Sequence, residues 1–374
     1  MNRSNRNIRV RLEPNGIYRK SSQMETISAL SPTQYILTII WWMLLGLSIL
    51  LYIILDGADL GAGVFSLFVS DADERGAIMS AMAGTWDANE TWLIVAGGVL
   101  FGTFPFVYGS LFNYLMVPLA IALWGIITRA AALEFRHLAE PRYQRFSDYA
   151  FGVSSLVTTF FGGMAVGAML KGFPLSHLPN HVPVYVGGAL RFVSPFSIWT
   201  GVAAVIAVSL SGGLFVRARF EPEEAIRKHA ARWTNVAFYT ALAAVLITIG
   251  WSAMIFPWAS RTWFGPYFYL WAVGGLIVVF AIVKMRAASN AERDLAAILW
   301  LNVAVALMAI GMMWTMYPWM VPDTWTIYAG ATPQMSIVTF TLAMAGFFPV
   351  MLMYNWYQIW VFRARITKLA TYGH

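Results

Sequence analysis

Residues 41–65 read WWMLLGLSILLYIILDGADLGAGVF, an apolar run of membrane-spanning length that carries two aspartates, Asp56 and Asp59. A second run, GTWDANETWLIVAGG at 84–98, carries Asp87 and Glu90. Carboxylates inside a membrane segment are costly, so they are candidates for function before anything else is known. Both runs flank one short polar stretch, DADERG at 71–76. Two spanning helices joined by so short a loop form an antiparallel hairpin, which brings the two acidic pairs to one region.

The remainder of the chain has the same character. Of its 374 residues, 59% are hydrophobic and only 11% are charged, where a soluble domain carries roughly 25% charged residues. Nine apolar segments are expected to span, at roughly 35–68, 77–102, 106–128, 150–170, 194–216, 233–256, 265–285, 295–316 and 334–361. Each is long enough for a helix of about 20 residues. The second and third are separated only by GTFPFVY at 102–108, read as a tight turn around Pro105. The fold class is therefore an all-α polytopic membrane protein; the alternating ten-residue strands of a barrel are absent. The chain divides into a polar basic tail at 1–34, a first helix bundle with the acidic cluster at 35–170, and the remaining spans with a C-terminal tail at 171–374.

The net charge of +7 is a topology signal and gives no indication of nucleic-acid binding. Sixteen Lys and Arg residues fall in one alternating set of connections, and three, Lys171, Arg191 and Arg261, fall in the other. The first set, which includes Arg75, Arg129, Arg136, Arg217 and Arg227, is expected on the cytoplasmic side. That places the N-terminus outside and the C-terminus inside. The tail disagrees, because Arg3, Arg6, Arg9, Arg11, Arg19 and Lys20 would lie outside. It has no apolar core of its own and so is not a cleavable signal peptide. Translation from Met24 would remove all six charges, and the alternative is a disordered tail translocated despite its charge; intact mass tests this, and a polypeptide beginning at Met1 rejects the later start.

With Asp59 about nine residues before the inner end of one helix and Asp87 about ten after the start of the next, both are expected roughly 13–15 Å from the inner boundary. Asp56 and Glu90 lie one turn deeper, since residues three apart share a helix face. The expected arrangement is a ladder of four carboxyls rising from the cytoplasm. Such a ladder suits a proton relay, in which neighbours lie within hydrogen-bond reach or one water apart. Trp86, beside Asp87, is a supporting candidate. Gly57, Gly61, Gly63 and Gly84 permit close helix approach or local unwinding. A sodium site is a further reading, because oxygen ligands suit hard cations, as is a polar cluster that merely binds helices or a partner. Asn113, Asn235, Asn302 and Asn355 are weaker candidates, read as interhelical hydrogen bonds. Glu134 and Arg136 are read as snorkelling at a helix end, and the Met-rich run at 308–316 as packing.

The chain has no cysteine, which excludes disulfides, iron–sulfur clusters and thiolate metal sites. Its five histidines, His137, His177, His181, His229 and His374, fall in expected loops or the tail. No redox metal centre is expected on this chain.

At the quoted residues the sequence resembles subunit II of the cytochrome bd-type quinol oxidases, including the cyanide-insensitive branch. The stretches that carry it are 41–65, GTWDANETWLIVAGGVLFGTFPFVYGSLFNYLM at 84–116, YNWYQIWVFRARIT at 354–367 and, more weakly, MYPWMVP at 316–322. The resemblance implies nine transmembrane helices arranged as two bundles plus a peripheral helix, in a bacterial cytoplasmic (inner) membrane. It implies a haem-free subunit in a heterodimer with subunit I, which holds haem b and haem d, oxidises quinol and reduces oxygen to water. Asp59 and Asp87 would carry protons from the cytoplasm, with Asp56, Glu90 and Trp86 in support. No residue claims or denies a quinone bound here, and small accessory subunits stay open. The competing reading is a proton- or sodium-coupled secondary transporter with a broken first helix; against it, no paired interrupted helices or inverted repeat are evident.

Overall fold

A computed structural model describes residues 30–176 and 184–361. The basic tail, the Met24 start, His177, His181, His374 and the residues after Val361 lie outside the described residues.

The first expected span is one continuous 35-residue helix, α1 (Pro32–Ser66), capped at its start by the Ser31 hydroxyl. Its glycines do not unwind it, so the first helix is not the broken one. The break falls in the second apolar segment, which divides into α2 (Ala72–Met82) and α3 (Trp86–Thr103) around residues 83–85. A break at membrane depth leaves carbonyls without helical partners, and other protein groups must satisfy them. Here Arg219 donates to the Ala81 carbonyl at 3.1 Å and Gln358 donates to the Gly84 carbonyl at 2.7 Å.

The third segment is also two helices. The expected turn around Pro105 is a short helix, α4 (Pro105–Tyr114), and the span itself is α5 (Met116–Phe135), displaced toward the C-terminus. Next come α6 (Pro141–Leu170), a short hairpin of β1 (Leu175–Ser176) and β2 (Val184–Tyr185), then α7 (Pro195–Arg219) and α8 (Ala225–Ile255). The chain continues through α9 (Pro257–Trp263), α10 (Phe268–Asn290) and α11 (Asp294–Met316). A second hairpin of β3 (Trp319–Val321) and β4 (Trp325–Thr326) leads to α12 (Gln334–Met344) and α13 (Phe347–Val361). Among the described residues eight helical segments are long and apolar enough to cross a membrane. The second expected span, 77–102, misses that set because the break shortens it and Asp87 and Glu90 sit in the remaining helix. At 1.5 Å per residue, the 18 residues of α3 nevertheless extend roughly 27 Å.

α1, α3, α5 and α6 pack as one bundle, and α7, α8, α10 and α11 as a second. α1 and α6 both lie against α7 and join the two, while α12 leans on α1 and α3 from outside. The joint depends on absent side chains. A Cβ at Gly61 would stand 1.7 Å from the Val208 carbonyl oxygen of α7, and one at Gly212 would stand 2.1 Å from the Gly61 carbonyl carbon. Without a strong hydrophobic force between helices in lipid, such close backbone approach is what holds membrane helices together.

Two buried charge clamps close one end of the bundles. Asp148 of α6 takes Arg75 Nε at 3.1 Å and Arg136 Nε at 2.6 Å, one on each carboxylate oxygen. Asp294 of α11 likewise takes Arg217 at 2.8 Å and Arg227 at 2.9 Å. Several basic residues expected in loops thus lie within or beside helices that extend beyond the apolar runs. α6 begins nine residues before its expected span and α8 eight before, and each carries the surplus charge in those first turns.

Candidate functional site

Where α1, α3 and α5 meet, acidic and basic side chains form one buried network. Asp56 and Asp59 of α1 are 0% and 1% exposed, and Arg129 of α5 is 1% exposed. Arg129 Nη2 stands 2.7 Å from Asp56 Oδ1 and 2.9 Å from Glu90 Oε2. One guanidinium therefore bridges the carboxylates of α1 and α3. Asp59 accepts a hydrogen bond from Asn89 Nδ2 at 2.8 Å, while its other oxygen, Oδ1, has no hydrogen-bond partner among the described residues. Tyr52, one turn from Asp56 on α1, is half-buried in the same field of Asp56, Glu90 and Arg129.

The expected ladder is right in level and wrong in azimuth. α1 and α3 do run antiparallel with their polar residues side by side. Successive helical residues turn by 100°, so Asn89 faces opposite to Asp87. Asn89 meets Asp59, Glu90 meets Asp56 through Arg129, and Asp87 is exposed on the far side of α3. The structure thus brings together Asp56, Asp59 and Glu90, and does not bring Asp87 to them. Trp86 Nε1 donates to Glu134 Oε1 of α5 at 3.1 Å, so Glu134 has a partner beyond simple snorkelling. Of the weaker candidates, Asn235 of α8 accepts from Arg286 of α10.

Asn89 and Arg129 are not among the expected site residues. The charge pattern places Arg129 in a connection, yet IITRAAALEF at 126–135 stays helical and apolar on both sides of it. A lone arginine in such a setting, with three acids unpaired in neighbouring spans, is the signal that would have found it.

The network contains three carboxyls, a phenol and an amide around one fixed positive charge, and carboxyls and phenols are groups that exchange protons. Among the described residues no group of three or more His, Cys, Asp or Glu side chains could hold a metal ion. His229 is at the start of α8, where it pairs with Glu74 at 3.2 Å.

Comparison with known proteins places the geometry. The chain is 26% identical over 366 residues to cytochrome bd-I ubiquinol oxidase subunit 2 of Escherichia coli K12, covering 89% of this chain and 96% of that one. It is 26% identical over 211 residues to cytochrome bd ubiquinol oxidase subunit 2 of Bacillus subtilis, covering 54% and 60%. Its fold matches a chain of the bd oxidase from Geobacillus thermodenitrificans with a TM-score of 0.69 at 20% identity, over 87% of this chain and 98% of that one. The family model for cytochrome bd terminal oxidase subunit II matches residues 37–362, and the chain belongs to that family.

Proposed function

We propose that this chain is the haem-free subunit II of a quinol-oxidising bd-type oxidase, where it braces subunit I and conducts protons from the cytoplasm toward the site of oxygen reduction. The observation that carries the reading is the buried Asp59–Asn89 and Asp56–Arg129–Glu90 network at the junction of three helices. Haem b and haem d in subunit I supply the electron transfer and oxygen chemistry. The residues of this chain have proton work. Arg129 holds Asp56 and Glu90 in place and offsets part of their charge. Asp59 faces a neutral amide rather than a cation, so its charge is the least compensated of the three and its carboxyl is the natural carrier. Asp87, exposed in the isolated chain on a membrane helix, needs a polar neighbour; against subunit I it would pass the proton across the interface. Trp86, tied to Glu134, fixes the start of α3 and so the direction of both acids.

Protons released outside by quinol oxidation and consumed from inside by oxygen reduction would build proton-motive force without a pump. The bacterial cytoplasmic membrane and the inside C-terminus follow from the same reading. The test is Asp87→Asn and Asp59→Asn in the two-subunit complex, measuring haem spectra and quinol-driven oxygen uptake. Full haem with lost uptake supports proton delivery. Lost haem assigns these acids to assembly, and full haem with undiminished uptake removes them from the path.

A further inference from the structure

A cleft of about 640 Å³ opens at the clamped end of the first bundle, away from the acid network. Arg75, Arg136 and Arg145 line it with Gln144, Tyr149 and Phe68, and the acids at its wall are Asp73 and Asp148. Asp148 is consumed by the clamp, one oxygen to each of Arg75 and Arg136. A guanidinium has five N–H groups. Arg75 uses three, on Asp148 and on the Val69 and Ser70 carbonyls; Arg136 uses two, on Asp148 and the Ala72 carbonyl. The arginines are therefore held rigidly with donors to spare. Arg145, exposed, lies over the Tyr149 ring at 5.8 Å. Three arginines against two acids leave the cleft with an excess positive charge.

Its position fits a lipid. α6 starts at Pro141, nine residues before the apolar run that begins near Ala150, so residues 141–149 extend the helix past its apolar length, where a headgroup layer would lie. The lining carries apolar side chains that belong among acyl chains: Leu67 and Phe68 line it, and Phe68 is 67% exposed. A cationic floor beneath an apolar rim matches an anionic lipid, with phosphate below and tails beside it.

We propose that this cleft binds the phosphodiester headgroup of an acidic phospholipid in the leaflet on the clamped side. Free phosphate shares the oxyanion chemistry but gains nothing from Leu67 and Phe68. The test is native mass spectrometry of the delipidated two-subunit complex, titrated with phosphatidylglycerol, phosphatidylcholine or inorganic phosphate, for wild type, Arg145→Ala and Arg145→Lys. Arg145 lies over the Tyr149 ring and is not one of the clamp's residues, so its loss leaves the clamp intact. One arginine near an anionic lipid is worth ~1 kcal/mol, so Arg145→Ala should bind phosphatidylglycerol about fivefold more weakly. The lysine variant should recover most of that, and phosphatidylcholine should bind weakly to all three. Equal phosphatidylglycerol binding by wild type and Arg145→Ala overturns the site. Displacement of the lipid by an equal concentration of inorganic phosphate overturns the lipid assignment.

Discussion

Replacing Arg129 by methionine removes the one cation that bridges α1 and α3. Asp56, 0% exposed, would lose a partner at 2.7 Å, and Glu90 would lose one at 2.9 Å. Methionine fills much of the volume, so the cost is electrostatic rather than a cavity. Removing one partner of a buried pair costs about 3–5 kcal/mol, whereas replacing both by neutral groups is often close to neutral. Glu90, whose side chain is 17% exposed, can recruit solvent, so Asp56 carries most of the penalty. Arg129→Met should therefore destabilise the chain by about 3 kcal/mol or more, and Asp56→Asn in the same background should restore most of the loss. The assay is the fraction of monodisperse complex that survives a temperature ramp, read by size-exclusion fluorescence. A double variant no more stable than Arg129→Met would refute the claim that Arg129 acts by compensating Asp56.

Asp148→Asn strands Arg75 and Arg136 in the same way and should cost about 3–5 kcal/mol, seen as a lower melting temperature of the complex. Gly61→Ala places a Cβ 1.7 Å from the Val208 carbonyl and should abolish folded yield, while Gly98→Ala, with nothing within 4 Å, should leave yield unchanged in this chain expressed alone. Gln358→Ala leaves the Gly84 carbonyl without its donor and should cost about 1–3 kcal/mol; hydrogen exchange at residues 83–86 should quicken.

The membrane class and most spans were legible because apolar length is a strong signal. What was missed shares a cause. The break at 83–85 depends on Arg219 and Gln358, from distant helices, and no local pattern announces them. The placement of Arg129 failed because charge was taken as the end of a helix, when charge within a helix can equally mark a buried partner. The two acidic segments were expected side by side because helical rise is regular, and Asp59 does meet Asn89 of α3. Asp87 was misplaced because azimuth depends on how α3 rotates once Trp92 and Val99 pack inward, and those two are 1% and 0% exposed. Of the glycines expected as hinges or contacts, Gly61 is a contact, and the glycine it meets, Gly212, carries no sequence signal of its own.

Proton uptake during a single oxygen pulse tests the central claim most directly. The two-subunit complex, fully reduced and inserted in vesicles with one orientation, would be mixed with oxygen while a pH dye reports the cytoplasmic face. Wild type should take up protons from that face in step with oxygen reduction. Asp59→Asn, with haem content verified as complete, should slow both together. Uptake by Asp59→Asn at the wild-type rate would contradict a proton path through this chain.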